Sequence, residues 1–164
     1  MKIVAFDLGS TFAIAMNAIA GEPPEMCTQS YVLKGVRQEK LRRFQQLIGG
    51  HDDYSPFAGV AGPIDLVIYE RPFSRGLAAT RMLWGMAGIL EAVATHYGYP
   101  VLSIVPTTVK KWAAGKGVAS KEEMIKAAQR LGYAGENEHE ADAFCLLQYA
   151  LATAEFETDE GQTK

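Results

Sequence analysis

Residues 1–11 read MKIVAFDLGST, an apolar run that ends on an acid and a turn. Residues 3–6 are all of core type, which is typical of a central strand covered on both faces. Asp7 breaks this row, and residues 9–11 form a turn signal. An unpaired ionised carboxylate at the end of a buried strand is costly. Asp7 therefore needs a cation, a hydrogen-bond cage or an exposed strand end.

Further strands and helices follow this first strand, predicted over Lys2–Leu8, in the order of an α/β domain. The other predicted strands cover Phe12–Ile19, Cys27–Leu33, Ile64–Tyr69 and Val101–Val105. The predicted helices cover Gln38–Ile48, Gly76–Tyr97, Pro106–Ala113, Lys121–Leu131 and Glu138–Thr153. This order predicts a mixed five-stranded sheet flanked by helices, in one domain over residues 1–154 with a polar tail over 155–164.

Composition bounds the class of protein. The chain has 164 residues, 48% of them hydrophobic, which is enough to bury a core without disulfides or metals. The net charge is −3, but residues 34–130 hold 14 Lys and Arg against 8 Asp and Glu. This basic middle segment can attract a phosphate backbone, although charge alone favours the simpler interpretation of solvated helix faces.

The cysteines and the apolar segments indicate a compartment. Cys27 and Cys145 are far apart and have no metal-ligand spacing, which predicts a reduced, cytoplasmic protein. The apolar start is too short for a signal peptide. No apolar run approaches the roughly 20 residues that span a bilayer, so we expect no membrane partner.

Three further residues extend the pattern set by Asp7. Glu70 directly follows a predicted buried strand, and the carboxyl ends of strands in an α/β sheet can converge at one edge. His139 and Asp142 are three apart on a predicted helix and share a face. The core residues that follow, such as Leu146, turn Asp142 inward. His139 and Asp142 could therefore supply one nitrogen and one oxygen ligand to a divalent cation.

Three carboxylates and a histidine can hold two hard cations, one activating a water and the other stabilising the leaving oxygen of a phosphodiester. Each residue also has a simpler interpretation. Asp7 can be a strand-end acceptor, Glu70 an ion-pair partner of Arg71 or Arg75, Asp142 a helix N-terminal charge and His139 a surface residue. All of the acids being structural is less expected, because each one interrupts an apolar pattern.

These residues resemble the RuvC branch of the RNase H-like nucleases. Asp7 on the first strand, Glu70 after a later strand and His139-x-x-Asp142 on a late helix match that family, over residues 1–153. The stretch 69–73, in which Phe73 follows Glu70 by three residues, is also similar. So are residues 105–110 and 117–121, which carry basic residues eleven positions apart.

The resemblance implies an RNase H-like fold and a RuvC-like nuclease domain that resolves Holliday junctions. It implies two Mg²⁺ ions per site, with Mn²⁺ as a substitute, held by Asp7, Glu70, His139 and Asp142. It gives catalytic roles to Lys110 and Lys121 near the scissile phosphate. The expected DNA contacts are Arg71, Phe73, Arg75, Arg81, Lys110, Lys116 and Lys121.

The resemblance also implies a homodimer through the helix 76–97, which is apolar over more than one face. Members from phages are less strict about DNA structure, so forks and flaps are further expected substrates. Many members carry Asp where His139 stands, and imidazole is the softer ligand. Glu140 adds a further negative charge close to the expected site.

Three alternatives differ from the junction nuclease. Residues 7–11, DLGST, also resemble the first phosphate loop of actin-like and Hsp70-type ATPases, but those proteins enclose ATP between two such domains. An RNase H acting on RNA:DNA hybrids is the second alternative, against which Phe73 and the Lys110–Lys121 spacing argue. A DNA-binding module without nuclease activity is the third, against which the complete set of four ligands argues.

Overall fold

A computed structural model describes residues 1–17, 26–49, 57, 63–73 and 76–154. Its strands are β1 (Ile3–Asp7), β2 (Thr11–Met16), β3 (Cys27–Val32), β4 (Leu66–Glu70) and β5 (Val101–Ile104). Its helices are α1 (Arg37–Ile48), α2 (Leu77–His96), α3 (Pro106–Ala114), α4 (Lys121–Arg130) and α5 (Glu138–Ala154). The predicted elements are confirmed apart from shifts at their ends, whereas the tail 155–164 and most of the loop 51–63 lie outside the described residues.

The five strands form one mixed sheet in the order β3-β2-β1-β4-β5. β1 lies at the centre, antiparallel to β2 and parallel to β4, and β4 is parallel to β5. The predicted mixed five-stranded sheet is therefore confirmed.

Helices cover both faces of this sheet. α1 and α2 contact each other on one face, and α5 packs on β1 and β2 on the other, with α3 and α4 beside it. Successive residues of a strand point to opposite faces. Val4 and Phe6 accordingly enter the core under α1 and α2, whereas Ile3 and Ala5 enter the core under α5. Burial on both faces explains why β1 is apolar without interruption until Asp7.

Helix α2 corrects the expectation that no segment could cross a bilayer. It is the one helix among the described residues that is long and apolar enough to do so, by length and composition. A core helix passes the same test, and Met86 and Leu90 of α2 are fully buried against the sheet. The opposite side of α2 exposes Leu77 (69%) and Trp84 (50%).

Candidate active site

The strand ends bring the first two predicted acids side by side. β1 and β4 are parallel, with Phe6 opposite Tyr69, so Asp7 and Glu70 are the next residues along the two strands. Both follow residues that face α5, namely Ala5 and Ile68. The alternation of strand side chains therefore turns both carboxylates toward α5.

Small residues let α5 approach this end of the sheet closely. Ala13 and Ala15 of β2 and Ala141 of α5 are all fully buried in the core between them. These side chains are single methyl groups, and the first turn of α5 comes within hydrogen-bond distance of β1. The Nδ1 atom of His139 lies 2.8 Å from the Oδ2 atom of Asp7.

The start of α5 is fixed by a cap that sequence analysis missed. The side-chain oxygen of Asn137 accepts hydrogen bonds from the backbone N–H groups of His139 (3.0 Å) and Glu140 (3.2 Å). Asn is among the preferred residues at a helix N-cap, because its side chain satisfies the first unpaired N–H groups. Its position directly before Glu138 was the available signal.

The Asp7–His139 pair is held partly away from water. The side chain of Asp7 is 15% exposed and that of His139 is 33% exposed. Burial raises the pKa of Asp7, and the hydrogen bond and charge of His139 oppose this effect. The hydrogen bond to Asp7 raises the pKa of His139 in turn. Because an ionised carboxylate only accepts hydrogen bonds, the proton lies on Nδ1 when Asp7 is charged.

Glu70 and Asp142 are half-buried acids, and one buried oxygen of each has no hydrogen-bond partner among the described residues. Among the described residues, nothing bonds to Glu70 Oε1 or to Asp142 Oδ1. Burial and then the charge of Asp7 raise the pKa of Glu70 to about 8 and that of Asp142 to about 7. Lys110 opposes both shifts. The acids therefore form one electrostatically coupled group beside Lys110.

The four predicted ligands are neighbours without being a preformed cage. Within the described parts of the chain, no three His, Cys, Asp or Glu side chains converge closely enough to hold a metal ion as they stand. Asp7 is engaged by His139, and the side chains of Glu70 and Asp142 have unsatisfied oxygens. Cation binding would require these side chains to draw closer together.

Glu138 joins this group, although sequence analysis gave it no role. Its Oε1 atom lies 3.6 Å from Nε2 of His139, and its carboxylate forms an ion pair of 2.6 Å with Lys121. Lys116 is likewise paired, with Glu123, at 2.6 Å. Two of the basic residues predicted to contact DNA are thus paired with acids in the described structure, whereas the positive charge of Lys110 acts on the carboxylates.

Glu140 points away from the carboxylates, which corrects the expectation that its charge lies close to the site. Its carboxylate accepts hydrogen bonds from Ser30 (2.8 Å) and Thr28 (3.1 Å) of β3 and from Tyr133 (3.2 Å). It therefore anchors the start of α5, and so the neighbouring His139, to the edge strand of the sheet.

The loop after β4 and the start of α2 carry the remaining predicted contacts. Phe73 is 80% exposed and is therefore not a buried anchor of this loop. Arg71 and Arg81 are also exposed. Arg75 lies outside the described residues. Phe73 is thus available to a partner at the same sheet edge as Glu70.

Comparison with known sequences gives curated proteins named crossover junction endodeoxyribonuclease RuvC. The proteins of Corynebacterium glutamicum and Corynebacterium efficiens are each 34% identical over 115 residues, which is 69% of this chain and 48% of theirs. That of Anaeromyxobacter sp. (strain Fw109-5) is 36% identical over 94 residues, 56% of this chain and 45% of its own. The chain thus spans about half the length of these relatives. No family model matches it.

Comparison of structures gives proteins of the same fold. Thermus thermophilus RuvC superposes with a TM-score of 0.71 and 20% identity, covering 96% of this chain and 98% of that one. The same protein in complex with a Holliday junction substrate gives 0.71 at 17% identity, with the same coverage. The yeast mitochondrial Holliday junction resolvase Ydc2 gives 0.54 at 14%, covering 88% of this chain and 75% of its own. The predicted resemblance is therefore confirmed in sequence and in fold: this chain is similar to RuvC over 115 residues and has an RNase H-like fold.

Proposed function

We propose that this chain is a structure-selective DNA endonuclease that resolves Holliday junctions and also cuts forks and flaps. The observation that carries the proposal is the half-buried, electrostatically coupled group of Asp7, Glu70 and Asp142 beside His139, at the sheet edge of a RuvC-like fold. The curated relatives are named crossover junction endodeoxyribonucleases, and one structural neighbour is RuvC bound to a Holliday junction. The bacterial relatives make the bacterial cytoplasm the expected compartment.

The donor set fits divalent cations. Buried carboxylate oxygens without hydrogen-bond partners are costly, and a bound cation would satisfy Glu70 Oε1 and Asp142 Oδ1 while holding both acids in the charged form. We infer that Asp7, Glu70, His139 and Asp142 hold two Mg²⁺ ions, which Mn²⁺ can replace. Such ions supply an activated water and stabilise the leaving oxygen of a phosphodiester.

The chain's own residues orient the reaction. Nδ1–H of His139 stays on Asp7, which leaves Nε2 as the ring nitrogen available to a cation. Lys110 brings positive charge to the carboxylate group and would hold the non-bridging oxygens of the scissile phosphate. Water adds to phosphorus and the 3′ oxygen departs, which leaves 5′-phosphate and 3′-hydroxyl ends.

The groups around this centre would bind the branched DNA. Phe73 is exposed enough to stack on an unpaired base, a contact worth about 1–3 kcal/mol. Arg71, Arg75 and Arg81 would hold backbone phosphates. Lys116 and Lys121 would contact DNA after exchanging their ion pairs with Glu123 and Glu138 for phosphates. These exposed ion pairs hold the lysines weakly.

We further propose a homodimer through the exposed side of α2. Leu77 and Trp84 leave large apolar surfaces uncovered there. A two-fold dimer would present two sites to the two strands of a symmetric junction. Trp84→Glu should yield a monomer in sedimentation analysis, and an unchanged dimer would move the interface elsewhere.

Cleavage of an end-labelled four-way junction in Mg²⁺ or Mn²⁺ tests the function. Wild-type protein should cut the junction, and Asp7→Asn should abolish cutting while junction binding persists. Cutting by Asp7→Asn at the wild-type rate would refute the mechanism. Preference for an RNA:DNA hybrid of equal length would favour the RNase H alternative, and binding without cutting by folded wild-type protein would favour the non-catalytic one.

A further inference from the structure

A basic groove lies between the β1–β2 turn and the first turns of α1 and α2. It has a volume of about 450 Å³. The residues that line it are Ser10, Arg37, Lys40, Ala78, Ala79, Arg81 and Met82. Three of the seven are cations, and the family resemblance assigned a DNA role to Arg81 alone.

The charges of this groove are not neutralised by the part of the chain that the structure describes. No carboxylate among the described residues lies within ion-pair distance of Arg37, Lys40 or Arg81. The Nζ atom of Lys40 instead donates to the hydroxyl of Ser10 at 3.0 Å. Lys116, by contrast, has an acid at 2.6 Å. Clustered unpaired cations create a field that attracts anions.

The topology places this groove at the carboxylate edge of the sheet. Ser10 follows Asp7 by three residues in the turn that leaves β1, and Arg81 lies in the first turns of α2, the helix that follows β4. α1 and α2 cover one face of the sheet, whereas α3, which carries Lys110, lies on the other. The edge that carries Asp7 and Glu70 therefore has this groove on one face of the sheet and Lys110 on the other.

The shape and chemistry of the groove suit a phosphate group. Ala78 and Ala79 line the groove with short side chains beside the cations. One arginine guanidinium group can donate hydrogen bonds to two oxygens of the same phosphate, and a serine hydroxyl supplies a further donor.

We propose that this groove is a second phosphate-binding subsite, which holds the DNA backbone on the side of the carboxylates opposite Lys110. The inference rests on the proposed nuclease function and deepens it, because it names how the strand is held across the sheet edge. A strand gripped on both faces would cross the carboxylates in a fixed direction. The cations of the groove would then contribute to DNA binding and to the position of the strand along the site. The cleavage step itself would not depend on them.

The test compares two double variants that remove equal charge. Arg37→Ala with Lys40→Ala removes two groove cations, and Arg42→Ala with Lys126→Ala removes two exposed cations outside the groove. Both are made in the Asp7→Asn background, and binding of a labelled four-way junction is measured against salt concentration. Each lost phosphate contact lowers the slope of log K against log salt by about 0.9, so the groove variant should lose about 1.8 and the control much less.

A second readout locates the phosphate itself. Single methylphosphonate substitutions along the junction strands remove one charge at a time, and one position should weaken wild-type binding while leaving the groove variant unaffected. A salt slope and a substitution profile equal to those of the control variant would overturn the subsite and leave the nuclease proposal intact. Failure of wild-type protein to bind any branched DNA would overturn both. Thermal melting of all variants verifies that they fold.

Discussion

Replacing Glu140 should loosen the site without touching a proposed ligand. The Glu140 carboxylate accepts three hydrogen bonds, from Thr28, Ser30 and Tyr133. A hydrogen bond to a charged group contributes about 1.5–3 kcal/mol, but the two β3 hydroxyls are near enough to the surface to recover water when the carboxylate is removed. Glu140→Ala should therefore lower the free energy of unfolding by about 3 kcal/mol in total.

The consequence for activity follows from the adjacent residue. Once α5 is released from β3, His139 and Asp142 lose their fixed position relative to Asp7. Glu140→Ala should then need more Mg²⁺ for half-maximal junction cleavage, whereas Glu140→Gln, which keeps one acceptor, should be intermediate.

Urea unfolding and a Mg²⁺ titration of cleavage measure both effects. A loss of about 3 kcal/mol corresponds to a fall in melting temperature of roughly 6–12 °C for a chain of this size. Glu136→Ala is the matched control, because Glu136 is an exposed acid just before the same helix. If Glu140→Ala unfolds within 0.5 kcal/mol of that control, the hydrogen-bonded anchor does not hold the helix and the reasoning fails.

Two other predictions concern the acids and the loop. Burial raises the pKa of Glu70 to about 8 and that of Asp142 to about 7, above their unfolded values, so the folded protein binds more protons than the unfolded chain between about pH 4 and pH 8. Metal-free protein should therefore lose stability as the pH rises through this window, by up to about 1.4 kcal/mol per pH unit for each acid, and regain it with Mg²⁺ at pH 8. Melting curves of the metal-free protein at pH 5 and pH 8 check the direction of this change in stability. Glu70→Gln should reduce the difference between the two melting temperatures. A metal-free protein that is more stable at pH 8 than at pH 5 would contradict the prediction. Phe73→Ala should reduce opening of a junction that carries 2-aminopurine at its crossover while leaving the melting temperature unchanged, and a large loss of stability would make Phe73 a packing residue.

The fold was predictable because its signals are local. The uninterrupted apolar run of β1 indicated a strand buried on both faces, and β1 is the central strand with helices on either side. Ser120 and Glu123, only three residues apart, form a capping box at the start of α4. Such patterns depend only on residues near in sequence, whose spacing is fixed by the geometry of a helix or strand.

The site was predictable in part. Asp7, Glu70 and Asp142 were conspicuous because each acid interrupts an apolar pattern, and the structure couples them electrostatically. The pairing of Lys121 with Glu138 was not predictable, since it joins exposed side chains 17 residues apart. Long polar side chains on a surface follow no periodicity that would name their partners.

The hydrogen bonds that Glu140 accepts and the basic groove were likewise not predictable from the sequence. In the sequence, Glu140 is one of several acids at the start of a helix. Only the position of β3 beside α5 shows that its carboxylate accepts hydrogen bonds from hydroxyl groups. Arg37 and Arg81 belong to helices whose contact brings their first turns together. Contacts between side chains of elements distant in sequence can be identified only once the tertiary structure is known.

The hydrogen bond between Asp7 and His139 spans 132 residues of sequence. A chain still emerging from the ribosome holds Asp7 and Glu70 long before α5 is synthesised, and so carries only half of the proposed metal ligands. Docking of α5 therefore completes the proposed centre, and a polypeptide caught midway through translation would be unable to hold the proposed cations.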